Sequence, residues 1–324
     1  MTFYIGIDLG GTKIASAVWD ADRQQLVTSA TVPTSAHEGP DAVLARIAGV
    51  CRDLASQAGL PMEHIAAVGL GVPATFDADL GVIYVIPNLP GDWYGKPAAP
   101  ILSEALGCPV HLVNDARAFT LAEATIGAGK GTQSCVGLTL GTGIGGGIAI
   151  NGRLYLGLGA AGEFGHITLD PNGPPDGTGN PGGWEGMASG PAISAMGMRV
   201  VAQGITTKIG EMVNFDLNKI TPEIIARAAD EGDEAAINIL NTVGFYLGTG
   251  LSTIVTILAP ECVVVGGGVA RLGERLMRPI RETLKLRVHT VDLDKVRIMP
   301  AALGSDAGVI GAAVWASQRA GESN

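Results

Sequence analysis

The sequence predicts an α/β fold with two similar domains that face each other across a cleft. Apolar runs typical of strands alternate with segments of helical spacing through the first hundred residues, as expected for helices packed on a largely buried sheet. The segment 6–11 (GIDLGG) also aligns with 137–142 (GLTLGT), and each copy continues into a second apolar strand. Taken alone, this match is equally consistent with a duplicated domain and with chance similarity between two glycine-rich strands.

Apolar patterning predicts the main elements in chain order. It gives buried strands at 3–9, 14–19, 65–72, 110–113 and 262–265. Helical spacing predicts one helix over 41–58, between Pro40 and Gly59, and a second over 116–126. The uncharged segment 235–260 is long enough to cross a bilayer. Its Asn, Ser and Thr side chains and the lack of close flanking cations favour a long buried helix instead.

Composition excludes several classes of function. The net charge of −10 argues against a protein that binds the nucleic-acid backbone, although oriented backbone N–H groups can still bind a small anion. The four cysteines lie far apart, which excludes a disulfide scaffold and a zinc-finger type of metal site. No signal peptide is recognisable at the N-terminus, so we expect a cytoplasmic location.

A glycine-rich segment at 141–147 (GTGIGGG) matches the GxGxxG pattern of dinucleotide-binding folds. Such folds require a helix directly afterwards, whereas here two apolar strands follow around the turn formed by Asn151 and Gly152. NAD binding is therefore not predicted. A glycine-rich turn between strands can still bind a phosphate through its backbone N–H groups, and a tight hairpin alone would not require so many glycines.

Two acidic positions follow predicted strands. Asp8 precedes the turn 10–13 (GGTK), and a carboxylate beside glycines and a lysine suits Mg²⁺ and nucleotide phosphates, although an Asp that only forms the turn is the alternative. Asn114 and Asp115 come between the predicted strand and the helix 116–126. They are consistent with a helix N-cap and with a general base.

Further polar and glycine motifs occur in the second half of the chain. The segment 162–166 (GEFGH) places Glu163 and His166 three residues apart, and Glu185 follows in a loop rich in glycine and proline, a pattern that favours a polar ligand site. The glycines 266–268 follow a predicted strand. They would allow the backbone to approach a flat ligand closely, and an ordinary turn between a strand and a helix is the alternative.

In this order, the motifs resemble those of the ROK family of sugar kinases and repressors, which belongs to the actin-like ATPase superfamily. The resemblance covers nearly the whole chain and rests on 8–13, 87–90 (PNLP), 114–116 (NDA), 141–147, 162–166, Glu185 and 266–268. It implies duplicated actin-like (ribonuclease H-like) ATPase domains flanking a central cleft. The expected lobes are 1–110 with 306–324, and 111–305. The chain length and the segment 87–93 look most like those of bacterial glucokinases.

The resemblance implies a reaction and a set of binding residues. The reaction is transfer of the γ-phosphoryl group of ATP, with Mg²⁺, to the 6-hydroxyl of glucose, and Asp115 is the implied general base. The implied sugar-binding residues are Asn88, Asn114, Asp115, Glu163, His166 and Glu185. The implied nucleotide-binding residues are Asp8, Gly10, Gly11, Thr12, Lys13, Gly141, Thr142, Gly143, Gly145, Gly266, Gly267, Gly268 and Val269. We expect a homodimer or homotetramer that binds neither nucleic acid nor a membrane.

Other functions within the family stay open. A kinase for N-acetylmannosamine, N-acetylglucosamine or mannose would share this set of residues. A repressor or a non-catalytic sugar sensor is less favoured. A repressor carries a helix-turn-helix before the strand that holds Asp8, where this sequence leaves no room, and a sensor would be expected to have lost Asp115.

ROK kinases commonly hold a structural zinc ion between the histidine of the GExGH motif and three cysteines of the following loop. His166 is present, but by loop position the cysteines are replaced by Asp176, Thr178 and Gly183. A tetrahedral zinc site needs four good ligands, so we predict that no zinc is bound. Prolines would stiffen the loop instead, a buried Trp184 would anchor it, and His166 would need another hydrogen-bond partner.

This prediction can be tested by elemental analysis of the purified protein. We expect no stoichiometric zinc, because His166 and Asp176 supply too few ligands. Prolonged chelation in excess Mg²⁺ should leave activity intact. One tightly held zinc ion per chain, lost together with activity, would refute the prediction.

Overall fold

A computed structural model describes residues 1–322, which divide into two compact units. Unit 1 contains Met1–Gly137, Gly147–Ala161 and the described residues from Ala301 onward, and unit 2 contains Leu138–Gly146 and Gly162–Pro300. This division differs from the expected lobes, which placed 111–305 together. The difference arises because the helix that follows residue 114 packs on the C-terminal helix and stays in unit 1.

The chain forms twelve strands and ten α-helices within the described residues. The strands are β1 (Phe3–Leu9), β2 (Lys13–Asp20), β3 (Gln25–Pro33), β4 (Ile65–Val72), β5 (Thr75–Asp77), β6 (Val82–Val85), β7 (Val110–Asn114), β8 (Ser134–Leu140), β9 (Ile144–Ile150), β10 (Arg153–Leu154), β11 (Cys262–Gly266) and β12 (Arg297–Pro300). The helices are α1 (Pro40–Gln57), α2 (Ala98–Leu106), α3 (Asp115–Thr125), α4 (Trp184–Ala188), α5 (Gly190–Ala202), α6 (Lys208–Met212), α7 (Pro222–Asp230), α8 (Glu234–Leu258), α9 (Glu274–Arg287) and α10 (Ala307–Glu322). The α/β prediction is confirmed.

The first sheet has the strand order β3-β2-β1-β4-β7. Strands β1, β2 and β3 pair antiparallel, whereas β4 pairs parallel with both β1 and β7. In this register Asp8 lies opposite Gly71, and Val72 lies opposite Asn114. The three parallel strands therefore end at one edge of the sheet, and that edge carries Asp8 and Asn114.

The second sheet has the order β10-β9-β8-β11-β12. In both sheets the first strand along the chain lies in the middle, the next two lie to one side of it, and the last two lie to the other. Strands β9 and β10 form the predicted hairpin, and its turn residues Asn151 and Gly152 have φ values of 52° and 72°. Strands β11 and β12 pair parallel. Strands β8 and β9 each run from one unit into the other along the chain.

Helix α10 packs directly on the backbone of the first sheet. A Cβ atom at Gly6 in β1 or at Gly69 in β4 would overlap the carbonyl oxygen of Val309 or Ala312 in the helix. On another side of α10, a Cβ at Gly311 would overlap the carbonyl oxygen of Ala118 in α3. Glycines on β1, β4 and α10 therefore allow these backbones to pack in direct contact.

Helix α8 is the one helix in residues 1–322 that is long and apolar enough to cross a membrane by length and composition. Much of it is buried inside unit 2, as the sequence predicted. Gly244 lies against Pro279 of α9, and Gly248 lies against Thr283 one turn further along. These two glycines therefore allow α8 to pack closely on α9.

The packing of α10 on β4 predicts the effect of a single methyl group. Gly69→Ala should lower the free energy of unfolding by about 1–3 kcal/mol, because the new Cβ must displace the backbone of α10. Gly49→Ala is the matched control: Gly49 lies inside α1, where a Cβ meets no atom within 4 Å, and should raise stability by about 0.5–1 kcal/mol. Urea titrations of both variants measure the difference, and equal effects would contradict the packing argument.

Candidate functional site

The glycine turn after β1 is held against the segment 87–90. The N–H of Gly10 donates to the carbonyl oxygen of Lys13 at 3.0 Å, which closes the turn. A Cβ at Gly11 would lie 2.8 Å from the carbonyl oxygen of Asn88, so only glycine fits there without a shift. The structure therefore brings together two of the predicted motifs, 10–13 and 87–90, within unit 1.

Asp8 is a half-buried carboxylate beside this turn. Burial raises its pKa above the ordinary value, and the positive charge of Lys13 offsets only part of that rise. Gly308 in the first turn of α10 lies so close that a Cβ there would be 2.6 Å from the Asp8 Oδ2 atom. A cation at this carboxylate would stabilise its charged form, so the donor chemistry fits a hydrated Mg²⁺.

The N-cap interpretation is confirmed for Asn114. Its Oδ1 atom accepts hydrogen bonds from the N–H groups of Ala116 at 3.1 Å and Arg117 at 3.3 Å. Asp115 is the first residue of α3, and one of its oxygens contacts the N–H of Ala116 at 2.8 Å. The partial positive charge of the helix N-terminus favours an ionised carboxylate at that position.

Unit 1 contains a cavity of about 510 Å³ next to Asn114. That volume lies within the usual range for sites that bind small molecules. It is lined by Phe76, Asp77, Ala78, Asp79, Tyr84, Leu112, Val113, Asn114, Arg117, Leu156, Gly157, Leu158, Gly159 and Trp315. Asn114 was the lining residue expected from sequence. The hairpin β5–β6 and Arg117 were missed, because neither carries a motif.

In unit 2 the glycine-rich turn 141–145 is joined to Glu185. The Oε2 atom of Glu185 accepts a hydrogen bond from the N–H of Ile144 at 3.0 Å. A Cβ at Gly143 would overlap this same oxygen. A Cβ at Gly165 would overlap the carbonyl oxygen of Ile144 and lie 3.4 Å from the Glu185 Cβ atom. The turn, the GEFGH motif and Glu185 are thus brought together.

The glycines after β11 have different local roles. Gly267 has a φ of 92°, and a Cβ there would overlap the carbonyl oxygen of Leu140, so the fold itself requires a glycine. Gly268 faces open space instead. Val269 lies near Gly190, whose N–H donates to the carbonyl oxygen of Gly141 at 2.8 Å. This contact brings the segment 266–269 close to the turn 141–145.

His166 has a protein partner rather than a set of metal ligands. Its Nδ1 atom lies 2.8 Å from the Oδ2 atom of Asp176. The other two positions expected from the family's zinc loop carry Thr178 and Gly183, which are poor ligands or none. Among residues 1–322, no group of three or more His, Cys, Asp or Glu side chains could hold a metal. These residues do not fit a tetrahedral zinc ion.

Trp184 is fully buried, as predicted for the residue that anchors this loop. Its ring packs against Gly250 of α8, where a Cβ would overlap it. The backbone N–H of Trp184 donates to the carbonyl oxygen of Ile167 at 2.9 Å. Glu163 and His166 are exposed in unit 2.

Comparison with known proteins assigns the family. The ROK family model matches residues 4–319. A glucokinase from Thermotoga maritima is 34% identical over 322 residues, which cover 98% of this chain and 98% of that protein. Two solved structures are also similar. The ROK hexokinase of Thermus thermophilus has a TM-score of 0.84 and 34% identity over 99% of this chain and 100% of that chain. A ROK family glucokinase from Streptomyces griseus, solved in complex with glucose and AMPPNP, has a TM-score of 0.78 and 31% identity over 98% and 99%. This chain belongs to the ROK family.

Proposed function

We propose that this protein is an ATP-dependent hexose kinase that phosphorylates the 6-hydroxyl of glucose. The observation that carries the proposal is Asp115 in the first turn of α3, at the same sheet edge as Asp8 and the glycine turn 10–13. A general base, a candidate cation ligand and a candidate phosphate site follow the ends of neighbouring parallel strands. Relatives of nearly full length that are named glucokinases and a hexokinase support the same activity.

The proton of the sugar hydroxyl is assigned to Asp115. Phosphoryl transfer needs little covalent assistance from the protein, so the main tasks are to align the hydroxyl and to accept its proton as the bond to phosphorus forms. Asn114 provides the N-cap, and Asp115 is assigned the proton although one of its oxygens also accepts from the N–H of Ala116. The positive end of the helix dipole favours negative charge at this position, which suits a carboxylate that accepts a proton.

The family resemblance assigns the remaining sugar hydroxyls to further polar side chains. These are Asn88, Asn114, Glu163, His166 and Glu185. Carboxylates accept hydrogen bonds from hydroxyl groups, and the amides can both donate and accept, so this set matches the alternating donors and acceptors of a hexose. The hydrogen bond from Ile144 to Glu185 holds that carboxylate beside the glycine turn.

The family resemblance assigns the nucleotide to glycine-rich segments of the backbone. The turns 10–13 and 141–145 offer N–H groups to the phosphates, with the Lys13 ammonium nearby, and the segment 266–269 is assigned to the adenosine. Asp8 would hold a hydrated Mg²⁺. When bound, Mg²⁺ neutralises negative charge on the phosphates. The backbone and Lys13 orient the γ-phosphoryl group towards the hydroxyl.

The domain duplication, the location and the oligomeric state of the protein are also proposed. The matching strand order of the two sheets supports the expected duplication of an actin-like (ribonuclease H-like) domain. A cytoplasmic location and a homodimer or homotetramer remain proposals from the family resemblance. The acidic net charge of −10 supports a protein that binds small molecules rather than nucleic acid.

The role of Asp115 can be tested by replacing only its charge. Asp115→Asn should lower kcat by about 10²–10⁴, the usual effect of losing a general base, and should retain sugar binding in a titration. Asp53→Asn is the matched control, because Asp53 is an exposed carboxylate on α1 of the same unit. Turnover of Asp115→Asn close to that of the control would remove Asp115 from this role.

The acceptor can be identified by ADP release across a panel of sugars. We expect glucose to give the highest kcat/KM among glucose, mannose, N-acetylglucosamine and N-acetylmannosamine. A higher value with N-acetylmannosamine would make the glucose assignment wrong while the kinase assignment survives. Sugar binding without ADP release from any member of the panel would favour a non-catalytic sensor.

A further inference from the structure

We infer that Asp176 is a positioning residue that fixes the orientation and tautomer of His166, so that His166 presents a hydrogen-bond acceptor to the sugar. This inference rests on the proposed function for the identity of the ligand. Its structural part, the state of the His166 ring, stands independently of the reaction.

Asp176 is a buried carboxylate in an otherwise exposed loop. Its side chain has no exposed surface, and it is the one buried residue in the described stretch 170–180. Its Oδ1 atom accepts from the N–H of Thr178 at 2.9 Å, the hydroxyl of Thr178 at 2.7 Å and the N–H of Asn180 at 3.0 Å. Its Oδ2 atom is left for the His166 ring, at 2.8 Å from Nδ1.

These hydrogen bonds keep Asp176 ionised. Burial alone would raise the pKa of its carboxyl group, but the hydrogen bonds from Thr178, His166 and Asn180 outweigh burial and hold that pKa well below its ordinary value. The carboxylate is therefore a pure acceptor at neutral pH.

The three positions that lack the family's cysteines all serve this one carboxylate. Asp176 provides it, and Thr178 donates two hydrogen bonds to it. Gly183 provides the room, since a Cβ there would overlap the Asp176 Oδ2 atom. A side chain at 183 is thus incompatible with the observed contact between Asp176 and His166. The three residues therefore form one hydrogen-bonded arrangement around Asp176, rather than three unrelated losses of a metal ligand.

The loop also holds the backbone of His166. The side-chain amide of Asn180 donates to the carbonyl oxygen of His166 at 3.0 Å, and the N–H of Asp176 donates to the carbonyl oxygen of Asn180 at 3.0 Å. Both the ring and the main chain of His166 are therefore fixed by residues 176–180. The His166 side chain is 39% exposed, and these contacts give it a defined orientation.

An ionised carboxylate can only accept, so the proton in this contact must be on Nδ1 of His166. In the neutral ring, Nε2 then carries a lone pair and accepts a hydrogen bond from a hydroxyl group. A polar partner of this kind selects one tautomer of an imidazole in the way that the outer partners of metal-bound histidines do. The ligand expected at Nε2 is a sugar hydroxyl acting as a donor.

The first experiment separates positioning from loop structure by kinetics. Asp176→Asn keeps the shape but no longer requires a proton on Nδ1, so the KM for the best hexose of the panel should rise by about 10-fold or more, with the KM for ATP unchanged. Asp170→Asn is the matched control because it makes the same change in the same loop. The Asp170 carboxylate accepts from the N–H of Asn172 rather than from His166. The control should leave both constants unchanged. An unchanged sugar KM in a folded Asp176→Asn protein would overturn the inference.

The second experiment reads the ring directly and needs no catalysis. Nitrogen-15 spectra of the wild-type protein labelled at histidine, recorded in mildly alkaline buffer, should show His166 with a protonated Nδ1 and an unprotonated Nε2. The chain has five histidines, and the resonance missing from His166→Gln assigns the signal. Asp176→Asn should shift the ring towards the other tautomer, and Asp170→Asn should not.

Together, the two experiments distinguish a failure of this inference from a failure of the proposed function. A wild-type ring protonated on Nε2 would overturn the inference even if Asp176→Asn does not fold. The expected wild-type ring, with no sugar of the panel phosphorylated, would overturn the proposed function and leave the structural assignment of Asp176 intact.

Discussion

Unit 1 depends on direct contact between backbones at positions where a side chain cannot fit. Helix α10 lies on β1 and β4 because Gly6 and Gly69 have no Cβ, and it lies on α3 because Gly311 has none. Strand β1 leads to Asp8, and α3 begins with Asp115. One helix therefore fixes both of the elements that carry the acidic side chains assigned to chemistry. A methyl group at any of these contacts would weaken the core and would also displace an element that carries a carboxylate proposed to act in the reaction.

Glycine has a second use in unit 2, where it makes room for carboxylate oxygens. Gly143 leaves space for Glu185, and Gly183 leaves space for Asp176. Because an ionised oxygen needs hydrogen-bond donors and no apolar neighbour, a glycine next to it allows backbone N–H groups to approach. Several of the 48 glycines therefore serve backbone contacts or carboxylate sites as well as turns.

The sequence was informative where a structure depends on local pattern. The predicted strand 65–72 has the observed bounds, and the cap at Asn114 and the hairpin at 151–152 follow from residue types that favour those conformations. It was less informative where distant segments meet. The cavity near Arg117 depends on a hairpin and a loop that carry no motif, and the boundaries of the two units depend on how α3 packs on α10. No pattern along the chain encodes either contact.

The site around His166 lies between these cases. The sequence predicted that the ring would need a partner other than a metal, but the partner itself depends on how the loop folds back. The replacement has a chemical consequence. A metal bound at Nδ1 takes the lone pair of that nitrogen and leaves a proton on Nε2, so the ring can only donate to a ligand. A carboxylate at Nδ1 takes the proton instead and leaves the lone pair on Nε2, so the neutral ring can only accept. Exchanging one for the other therefore reverses the hydrogen-bond polarity of Nε2. In the proposed complex, the sugar hydroxyl at His166 must then be the donor, and its own oxygen can accept from another group.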